Sequence, residues 1–264
     1  MVPNLLSLRD LALRTARSVA PELARWAGGS LDSATKSSVT DLVTDADLWS
    51  EKQIAEMLHG ARPNDAIQCE EGTTVSGTSG VRWVVDPIDG TTNFVYGHPG
   101  YSVSIGAEVD GEPAIGVILD PVLGDEFVAA LGHGATRNGT SIRVSNSTIL
   151  SEALVATGFG YQPDRRHRQA EGLVEILPRV RDIRRMGGAA LDLASVACGR
   201  VDAFFERGLA PWDIAAGTVI VREAGGRVCD LSGDSPTGDF VVAAPEGLLS
   251  ELLSLLHSVD ADRA

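Results

Sequence analysis

Apolar side chains in the first sixty residues recur every three or four positions, which is the spacing of an amphipathic helix. The first such run extends from residue 5 to residue 26, and Gly28-Gly29 ends it. Residues 30–43 are polar and predict a loop, after which the helical pattern returns from Thr44 to about His59. The chain is therefore expected to begin with two helices joined by a loop.

Short apolar runs bounded by turn residues follow and are typical of strands. They occupy Ala66–Cys69 and residues 82–86, 101–109, 114–119 and 125–131. Asp110-Gly111, between the third and fourth runs, predicts a tight hairpin. A second hairpin is predicted where the HGATRNG segment at 133–139 separates the run at 125–131 from one at 141–144.

In the second half of the chain, strand-like and helix-like runs alternate. The predicted strands are residues 154–158, 182–186, 201–206, 227–231 and 239–244, and the predicted helices are residues 164–178, 188–198, 212–224 and 245–259. This alternation predicts an α/β protein of layered sheets and helices. The change of rhythm predicts an N-terminal α+β subdomain over residues 1–148 and a C-terminal α/β subdomain over 149–264, with a cleft between them.

Composition and charge narrow the functional classes. Charged residues make up 22% and hydrophobic residues 44% of the 264, which is ordinary for a globular protein and excludes a disordered or collagen-like chain. The net charge of −14 disfavours binding to nucleic acid or to an anionic membrane surface. The N-terminus lacks a signal-peptide pattern, and no apolar run approaches eighteen residues, so a cytoplasmic protein is expected.

The three cysteines, at positions 69, 198 and 229, lie far apart and form no CxxC pair. They therefore indicate neither a disulfide framework nor a zinc site. We expect them to be buried thiols in a reducing compartment.

The most informative segment is a pair of aspartates that follows a predicted strand. Asp86 and Asp89 stand at its carboxyl end, Pro87 fixes the backbone between them, and Gly90 permits a sharp turn. The two carboxylates can converge on one point, with the Ile88 carbonyl as a third oxygen donor. Such oxygens suit Mg²⁺, and N–H groups of the turn or helix that follows can face a phosphate.

An isolated DxxDG segment is more often a turn with a capping aspartate than a metal site. Three further acidic clusters stand at element boundaries, at Glu70-Glu71, at Asp213, and at Asp41, Asp45 and Asp47. Each alone is typical of a solvated loop or a helix cap. Their recurrence suggests a shared site but does not by itself establish one.

The order of these motifs resembles that of the inositol monophosphatase family. The matching segments are DLVTDAD (41–47), Glu70-Glu71, DPIDGTTNF (86–94), GRVDAFFERG (199–208) and WDIAAG (212–217), and the resemblance extends over residues 5–257. It implies a layered α/β/α/β/α sandwich, as in the fructose-1,6-bisphosphatase type, and a lithium-sensitive phosphatase with two or three Mg²⁺ ions. It also implies a homodimer.

The resemblance further implies the following roles. Glu70, Asp86 and the Ile88 carbonyl hold one ion, Asp86, Asp89 and Asp213 hold a second, and Glu70 reaches a third through water. Thr91 and Asp47 orient and deprotonate the attacking water. The substrate contacts are Asp89, Asp213, the Gly90 and Thr91 amides, Glu206 for polyol hydroxyls, and Gly187, Gly188 and Ala189.

This chain departs from the family pattern at two positions, with Cys69 in place of a glycine and Gly188 in place of a serine or threonine. The second change removes a hydroxyl contact and puts inositol specificity in question. Lys36 stands where the family has a lysine near the phosphate, and a solvated surface role is the alternative. The arginines at 165–168 and 179–185 predict solvated helix faces, with a subunit interface or a second phosphate pocket as alternatives.

These observations predict hydrolysis of a small phosphorylated polyol, with inositol 1-phosphate the first candidate. Histidinol phosphate, fructose 1,6-bisphosphate and 3′-phosphoadenosine phosphates are the other candidates, and the short connection between Glu71 and Val81 favours a small substrate. A regulatory protein-binding module of transcription antitermination is the alternative from another class. A metal-stabilised structural protein with an inactive site is a third, which the retained acids and Thr91 disfavour.

Overall fold

Two β-sheets alternate with three layers of helices in the computed structural model, which describes residues 3–29, 33–35, 42–236 and 238–259. Within these residues the helices are α1 (Leu5–Trp26), α2 (Asp45–Ala61), α3 (Thr91–Val95), α4 (Pro163–Ile176), α5 (Ala189–Ala197), α6 (Pro211–Glu223) and α7 (Glu246–Ser258). Each of the helices predicted from the apolar spacing is present, with its ends within about two residues of the prediction.

The prediction of a loop over residues 30–43 is wrong in part. Strand β1 (Ser33–Thr35) pairs antiparallel with β2 (Leu42–Thr44), and β2 leads directly into α2. Strands of three residues are too short to show an alternating pattern, so the polar composition of the segment hid them.

The first sheet holds eight strands. They are β3 (Ala66–Cys69), β4 (Thr74–Val75), β5 (Val81–Asp89), β6 (Ser102–Val109), β7 (Glu112–Asp120), β8 (Asp125–Ala130), β9 (Ala135–Arg137) and β10 (Thr140–Ser141), in the order β10-β9-β8-β7-β6-β5-β3-β4. β3 and β5 run parallel, and the other neighbouring pairs are antiparallel. The sheet is therefore built mainly from hairpins, as the turn signals predicted.

The two predicted hairpins have different outcomes. Asp110 and Gly111, with φ of 52° and 89°, form the tight turn between β6 and β7, as predicted. The second prediction is wrong in its pairing, since β8 pairs with β9, which lies inside the predicted loop. Asn138 and Gly139, at φ of 52° and 77°, then form a further tight turn into β10. The sequence pattern located the turn residues correctly. It did not show that the segment contains two turns, one between β8 and β9 and one between β9 and β10.

The second sheet holds five strands, β11 (Leu154–Thr157), β12 (Asp182–Arg184), β13 (Ala203–Arg207), β14 (Arg227–Cys229) and β15 (Phe240–Ala244), in the order β12-β11-β13-β15-β14. β11 lies parallel to β12 and β13, whereas β15 lies antiparallel to β13 and β14. The parallel part therefore brings the carboxyl ends of β11 and β13 to one edge.

The layers follow from where the apolar faces are buried. α1 and α2 cover one face of the first sheet, and α5 and α6 lie between the two sheets. α7, with the end of α4, covers the outer face of the second sheet. The α/β/α/β/α sandwich that the resemblance implied is thereby confirmed.

Two glycines of the first sheet let the central helix α6 approach it closely. A Cβ added at Gly106 would lie 2.7 Å from Cβ of Ala215, and one added at Gly116 would overlap the carbonyl oxygen of Ala216. The sheet and the helix therefore meet almost backbone to backbone. This contact fixes α6, whose first turn carries Asp213, against the sheet that contains β5.

The two sheets use residues 66–141 and 154–244. The subdomain boundary near residue 148 stays a prediction, because α6 packs on both sheets. In the described part of the chain, no helix combines the length and the apolar content needed to cross a bilayer. All three cysteines are free thiols, and burial raises the pKa of each.

Candidate metal centre and substrate pocket

A bulge in β5 brings the first two acidic side chains to the same side of the sheet. Asp86 is opposite Ser104 on β6, and Asp89 is opposite Ser102, so three steps along β5 match two along β6. In a regular strand, residues three apart point to opposite faces. The extra residue in β5 removes that opposition. The irregular strand end is therefore what allows both carboxylates to reach one point.

Asp213 joins this pair from the first turn of α6. One carboxylate oxygen from each of Asp86, Asp89 and Asp213 lies within 4.8 Å of the other two. Asp86 and Asp89 are buried and Asp213 is half-buried. Glu70, at the end of β3, is close enough to share a hydrogen bond with Asp86. Four oxygen-donor side chains from three distant segments thus surround one small volume.

Burial and mutual repulsion raise the pKa of these acids. Burial is the largest cause for Asp86, followed by the charges of Glu70, Asp89 and Asp213. For Asp89, burial raises the pKa to about 7 even though two backbone N–H groups oppose the shift. The pKa of Asp213 is raised by burial and by Asp89. A group of acids that resist ionisation together is suited to a bound cation, which would restore the charged forms.

Asp89 and Asp213 are held in place by backbone hydrogen bonds. Asp89 accepts the N–H of Ala189 at 3.0 Å and that of Ala190 at 3.1 Å, and so caps the start of α5. Asp213 accepts the N–H of Ala210 at 2.6 Å, in the capping box of α6. The helix-cap interpretation of Asp213 is therefore confirmed, and Asp89 has a capping role that the sequence did not predict; both roles coexist with the clustering of these acids.

Thr91 and Asp47 lie beside the acidic group. Asp47 is fully buried and accepts the Thr44 N–H at 2.7 Å and the Thr44 hydroxyl at 2.6 Å. Its other oxygen is 3.3 Å from the Thr91 hydroxyl, which is also 3.1 Å from the carbonyl of Ile88. The hydroxyl has one hydrogen and can donate to only one of these acceptors at a time. Asp47 thus contacts Thr91, which lines the pocket.

Gly90 supplies the turn that separates the two aspartates from α3. Its φ is +87°, and a Cβ there would lie 2.7 Å from the carbonyl oxygen of Gly100. Only glycine fits both conditions. The predicted turn is confirmed, and Thr91 opens α3 directly after it.

A cavity of about 430 Å³ extends from this acidic group to the carboxyl ends of β11 and β13. Its volume is in the range of small-molecule sites. Of the predicted site residues, those that line it are Glu70, Asp86, Ile88, Asp89, Gly90, Thr91, Gly187, Ala189, Glu206 and Asp213. The sequence-predicted residues therefore meet around one pocket.

Four predicted or candidate residues are placed differently. Gly188 is buried, and a Cβ there would lie 2.6 Å from an oxygen of Asp89, so any side chain at this position would contact Asp89. Asp45 is exposed at the start of α2. Lys36 and Asp41 lie outside the described residues.

Sequence reasoning missed two buried acids near the pocket. Glu51 of α2 accepts the N–H groups of Glu71 and Thr73 at 2.7 and 2.8 Å, and so fixes the loop after Glu70. Asp192 of α5 lines the pocket, and its Oδ1 has no hydrogen-bond partner among the described residues. Glu51 follows Asp47 by one helical turn on a buried face, and Asp192 is the charged residue in the apolar run AALDLASVA. Both signals were present in the pattern.

Burial also raises the pKa of the two acids at the far side of the pocket. The pKa of Glu206 is raised to about 7 by burial, against the opposing charges of Arg185 and Arg165. The pKa of Asp192 is raised by burial and by Glu206. A neutral carboxyl group can donate a hydrogen bond as well as accept one, so this side of the pocket suits hydroxyl groups of a substrate.

The arginines at 179–185 are largely engaged with nearby groups. Arg179 pairs with Glu175 at 3.5 Å, Arg184 pairs with Asp182 at 2.6 Å, and Arg181 donates to the carbonyl of Glu152 at 2.5 Å. These contacts agree with the solvated-surface interpretation for those three arginines, whereas Arg185 lines the pocket.

Comparison with known proteins gives a consistent family. The inositol monophosphatase family profile matches residues 4–261. A Mycobacterium tuberculosis protein named inositol-1-monophosphatase SuhB is 45% identical over 84% of this chain and 80% of its own length. A Pasteurella multocida protein named Nus factor SuhB is 40% identical over 96% of this chain and 97% of its own length.

A solved structure gives the same relationship. The crystal structure of the extragenic suppressor protein suhB from Bartonella henselae has a TM-score of 0.90 and 37% identity, covering 95% of this chain and 98% of that one. The profile match extends over nearly the whole chain and includes every segment that forms the pocket. The chain therefore belongs to the inositol monophosphatase family.

Proposed function

We propose that the protein is a metal-dependent phosphatase that hydrolyses small phosphate monoesters, with inositol 1-phosphate the first candidate substrate. The observation that carries this proposal is the convergence of Asp86, Asp89 and Asp213 within 4.8 Å at one end of a pocket. The name of the mycobacterial relative supports the choice of substrate.

The donor set fits Mg²⁺, which prefers carboxylate and carbonyl oxygens. Glu70, Asp86 and the Ile88 carbonyl would hold one ion, and Asp86, Asp89 and Asp213 a second, with a third reached from Glu70. When bound, such ions neutralise the phosphate and lower the pKa of water. The raised pKa values of the aspartates support this assignment, because each carboxylate lacks the compensation for burial that a cation provides.

The remaining chemistry falls to this chain's own side chains. Thr91 positions the attacking water, and Asp47 accepts its proton through the Thr91 hydroxyl, 3.3 Å away. The new bond forms between the water oxygen and phosphorus. The bond from phosphorus to the alcohol oxygen breaks, and its electron pair stays on that oxygen, which takes up a proton from solvent water. The Gly90 and Thr91 amides contact the phosphate, while Glu206, Gly187 and Ala189 face the alcohol.

A phosphate-release panel with Mg²⁺ tests the proposal. The substrates are inositol 1-phosphate, histidinol phosphate, fructose 1,6-bisphosphate and 3′-phosphoadenosine phosphate, each with wild-type protein and with Asp89→Asn. We expect turnover of at least one substrate that depends on Mg²⁺ and is lost in the variant. Turnover of none of the four, by folded protein with Mg²⁺ present, would contradict it. A homodimer is also expected, and sedimentation of the purified chain measures it.

The name of the Pasteurella relative favours a second candidate, a regulatory protein-binding role in transcription antitermination. The exposed arginines of the 179–185 segment are the surface on which such a role would depend. Their local ion pairs reduce the charge they can offer to a partner. A pull-down of transcription factors that survives Asp89→Asn would separate this role from catalysis.

A further inference from the structure

Asn93 belongs to the DPIDGTTNF segment, and the mechanism proposed above gives it no role. It lies in the middle of the short helix α3, shortly after the turn at Gly90. Its side-chain nitrogen donates to the carbonyl oxygen of Gly100 at 2.8 Å and to that of Met186 at 2.7 Å. The second bond joins residues that are 93 positions apart in the sequence. Asn93 does not itself line the cavity, so its effect on a bound substrate would pass through these backbone segments.

The chemistry of the two contacts identifies which atom of the amide makes them. Carbonyl oxygens only accept hydrogen bonds, so the nitrogen of the Asn93 amide, and not its oxygen, faces Gly100 and Met186. An amide nitrogen carries two hydrogens, and here each has its own acceptor. A carboxylate of the same size would have no hydrogen to donate and would place a negative charge against both carbonyls. The position therefore favours an amide over a carboxylate.

Glycines on both partner segments let the backbone approach the Asn93 amide closely. A Cβ added at Gly100 would lie 2.9 Å from the amide nitrogen of Asn93, and one added at Gly187 would lie 2.8 Å from the same atom. Both glycines have positive φ, +104° and +103°, which other residues rarely adopt. The amide is thus enclosed by the backbone of the two segments that it joins, and it fixes the distance between them.

The segment that Asn93 holds through Met186 forms the alcohol side of the pocket. It follows β12 of the second sheet and leads into α5, which begins at Ala189. Gly187 and Ala189 line the cavity, as does Gly90 on the phosphate side. The two sides follow strands of different sheets, so their spacing depends on contacts between segments that are distant in sequence. The hydrogen bond from Asn93 to Met186 is such a contact.

A second side chain holds the other end of the same segment. Asp89 accepts the N–H of Ala189 at 3.0 Å and that of Ala190 at 3.1 Å. Asp89 is also a proposed metal ligand, whereas Asn93 is not. Substitution of Asn93 therefore changes the support of the alcohol side without removing an oxygen donor from the metal centre.

We propose that Asn93 is a positioning residue for substrate specificity, which holds the alcohol-facing segment, through Met186, at a set distance from the turn that contacts the phosphate. The inference rests on the proposed function and deepens it, because it names what determines the fit of the alcohol. That segment faces the alcohol and not the bond that breaks, so its displacement should raise KM more than it lowers kcat. Thr91 keeps its contacts with Asp47 and the Ile88 carbonyl, which do not involve Asn93.

The affinities for a whole substrate and for phosphate alone separate this role from a general loss of structure. We would measure kcat and KM with Mg²⁺ for the monoester that wild-type protein hydrolyses fastest, and Ki for inorganic phosphate as a competitive inhibitor. The variants are Asn93→Asp, which keeps the size of the side chain and removes both donors, and Asn93→Ala. The matched control is Thr92→Ala, at the exposed neighbouring position on α3. We expect KM to rise about tenfold in both Asn93 variants, the order of one or two lost hydrogen bonds. Ki for phosphate should change little, and the control should behave like wild type.

Other outcomes overturn the inference at different levels. A KM that is unchanged in both Asn93 variants overturns it. A rise in KM that is matched by an equal rise in Ki for phosphate also overturns it, because the whole site and not its alcohol side would then be affected. Absence of hydrolysis of every monoester by wild-type protein overturns the proposed function, and this result is obtained before any variant is compared. If Asn93→Ala fails to fold, shown by circular dichroism, Asn93→Asp decides the test.

Discussion

The carboxylate of Asp89 accepts the backbone N–H of Ala189 at 3.0 Å, a hydrogen bond that joins residues one hundred positions apart. It connects the end of β5 in the first sheet to the start of α5 in the central helical layer. One side chain therefore contributes to the acidic group and also caps a helix that lines the same pocket. A substitution of Asp89 therefore affects both the acidic group and the N-terminal cap of α5.

Asp89→Asn is expected to reduce turnover at least a hundredfold, the order of one lost electrostatic contact at a reacting centre. It should also abolish the rise in Tm that Mg²⁺ produces. The Tm without metal should change by only a few degrees, because loss of one N–H acceptor is offset by removal of a buried charge. Differential scanning fluorimetry and phosphate release measure both effects. Asp230→Asn, at a turn outside the pocket, serves as the control and should behave like wild type; equal metal stabilisation in both variants contradicts the ligand assignment.

Thr91→Val is expected to lower kcat by about a hundredfold or more while it preserves the Tm rise with Mg²⁺. The substitution removes the hydroxyl that lies between Asp47 and the Ile88 carbonyl and keeps the volume of the side chain. Thr92→Val, at the exposed neighbouring position, is the matched control. If both variants retain the wild-type kcat, the role assigned to Thr91 is wrong.

The stability of the metal-free protein is expected to fall as pH rises from about 4 to above 7. The folded state raises the pKa of Asp89 to about 7 and those of Asp86 and Asp213 as well, so between these limits it binds more protons than the unfolded chain. The loss should be on the order of a few kcal/mol. Asp125, whose pKa the neighbouring arginines lower, titrates below this window.

Urea unfolding in EDTA at several pH values between 5 and 8 measures this dependence. Addition of excess Mg²⁺ should flatten or reverse it, because metal binding favours the ionised carboxylates. A metal-free protein whose stability increases across the same range would show that the acids are not held in the protonated form.

Glu51→Gln is expected to raise the Mg²⁺ concentration for half-maximal activity severalfold, with a smaller effect on saturated kcat. The carboxylate accepts two N–H groups from the loop after Glu70, and an amide can accept only one and turns its NH₂ group toward the other. The exposed Glu56→Gln, on the same helix, controls for loss of charge. A metal titration gives the result, and identical curves for both variants would remove Glu51 from the site.

Gly90→Ala is expected to destabilise the protein more than Gly124→Ala does. Both residues have positive φ, +87° and +67°, so each substitution incurs a backbone strain of about 1–2 kcal/mol. Only at Gly90 does a Cβ also meet a backbone atom, the carbonyl of Gly100 at 2.7 Å. Chemical denaturation separates the two terms. An equal decrease in the free energy of unfolding for both variants would mean that the Gly100 backbone can move away from the added methyl group without destabilising the protein.

Most elements of the fold could be predicted because the periodic pattern of their apolar residues extends over enough residues to be recognised. α1 and α7 have helical spacing over many turns, and β6 and β7 flank an Asp-Gly turn with a single structural meaning. The strand pairs that were missed, β1 with β2 and β8 with β9, include strands only three residues long. Pairing of such strands is decided by tertiary contacts that a local pattern does not contain.

The acidic part of the candidate site was predictable for a different reason, since its residues follow strands or open helices in recognisable motifs. The bulge that turns Asp86 and Asp89 to one side of the sheet has no signal in the sequence other than Pro87 and Gly90. The arginines that line the pocket, Arg165, Arg185 and Arg207, were harder to predict. In sequence, Arg165 and Arg185 belong to runs of charged residues that are typical of a surface. The structure shows that the Arg165 side chain packs against Gly160 and Gly208, two glycines that are far apart in sequence.

The close contact of Gly106 and Gly116 with α6 bears on which ion the centre accepts. Because the sheet already touches the helix backbone there, the first turn of α6 has little freedom to shift relative to the end of β5. Ca²⁺ needs oxygen distances of about 2.3–2.6 Å, against about 2.0–2.1 Å for Mg²⁺. The preference for Mg²⁺ over Ca²⁺ would then depend on Gly106 and Gly116, which have no side chain and contact no ligand. A methyl group added to either would shift α6 and so change this preference.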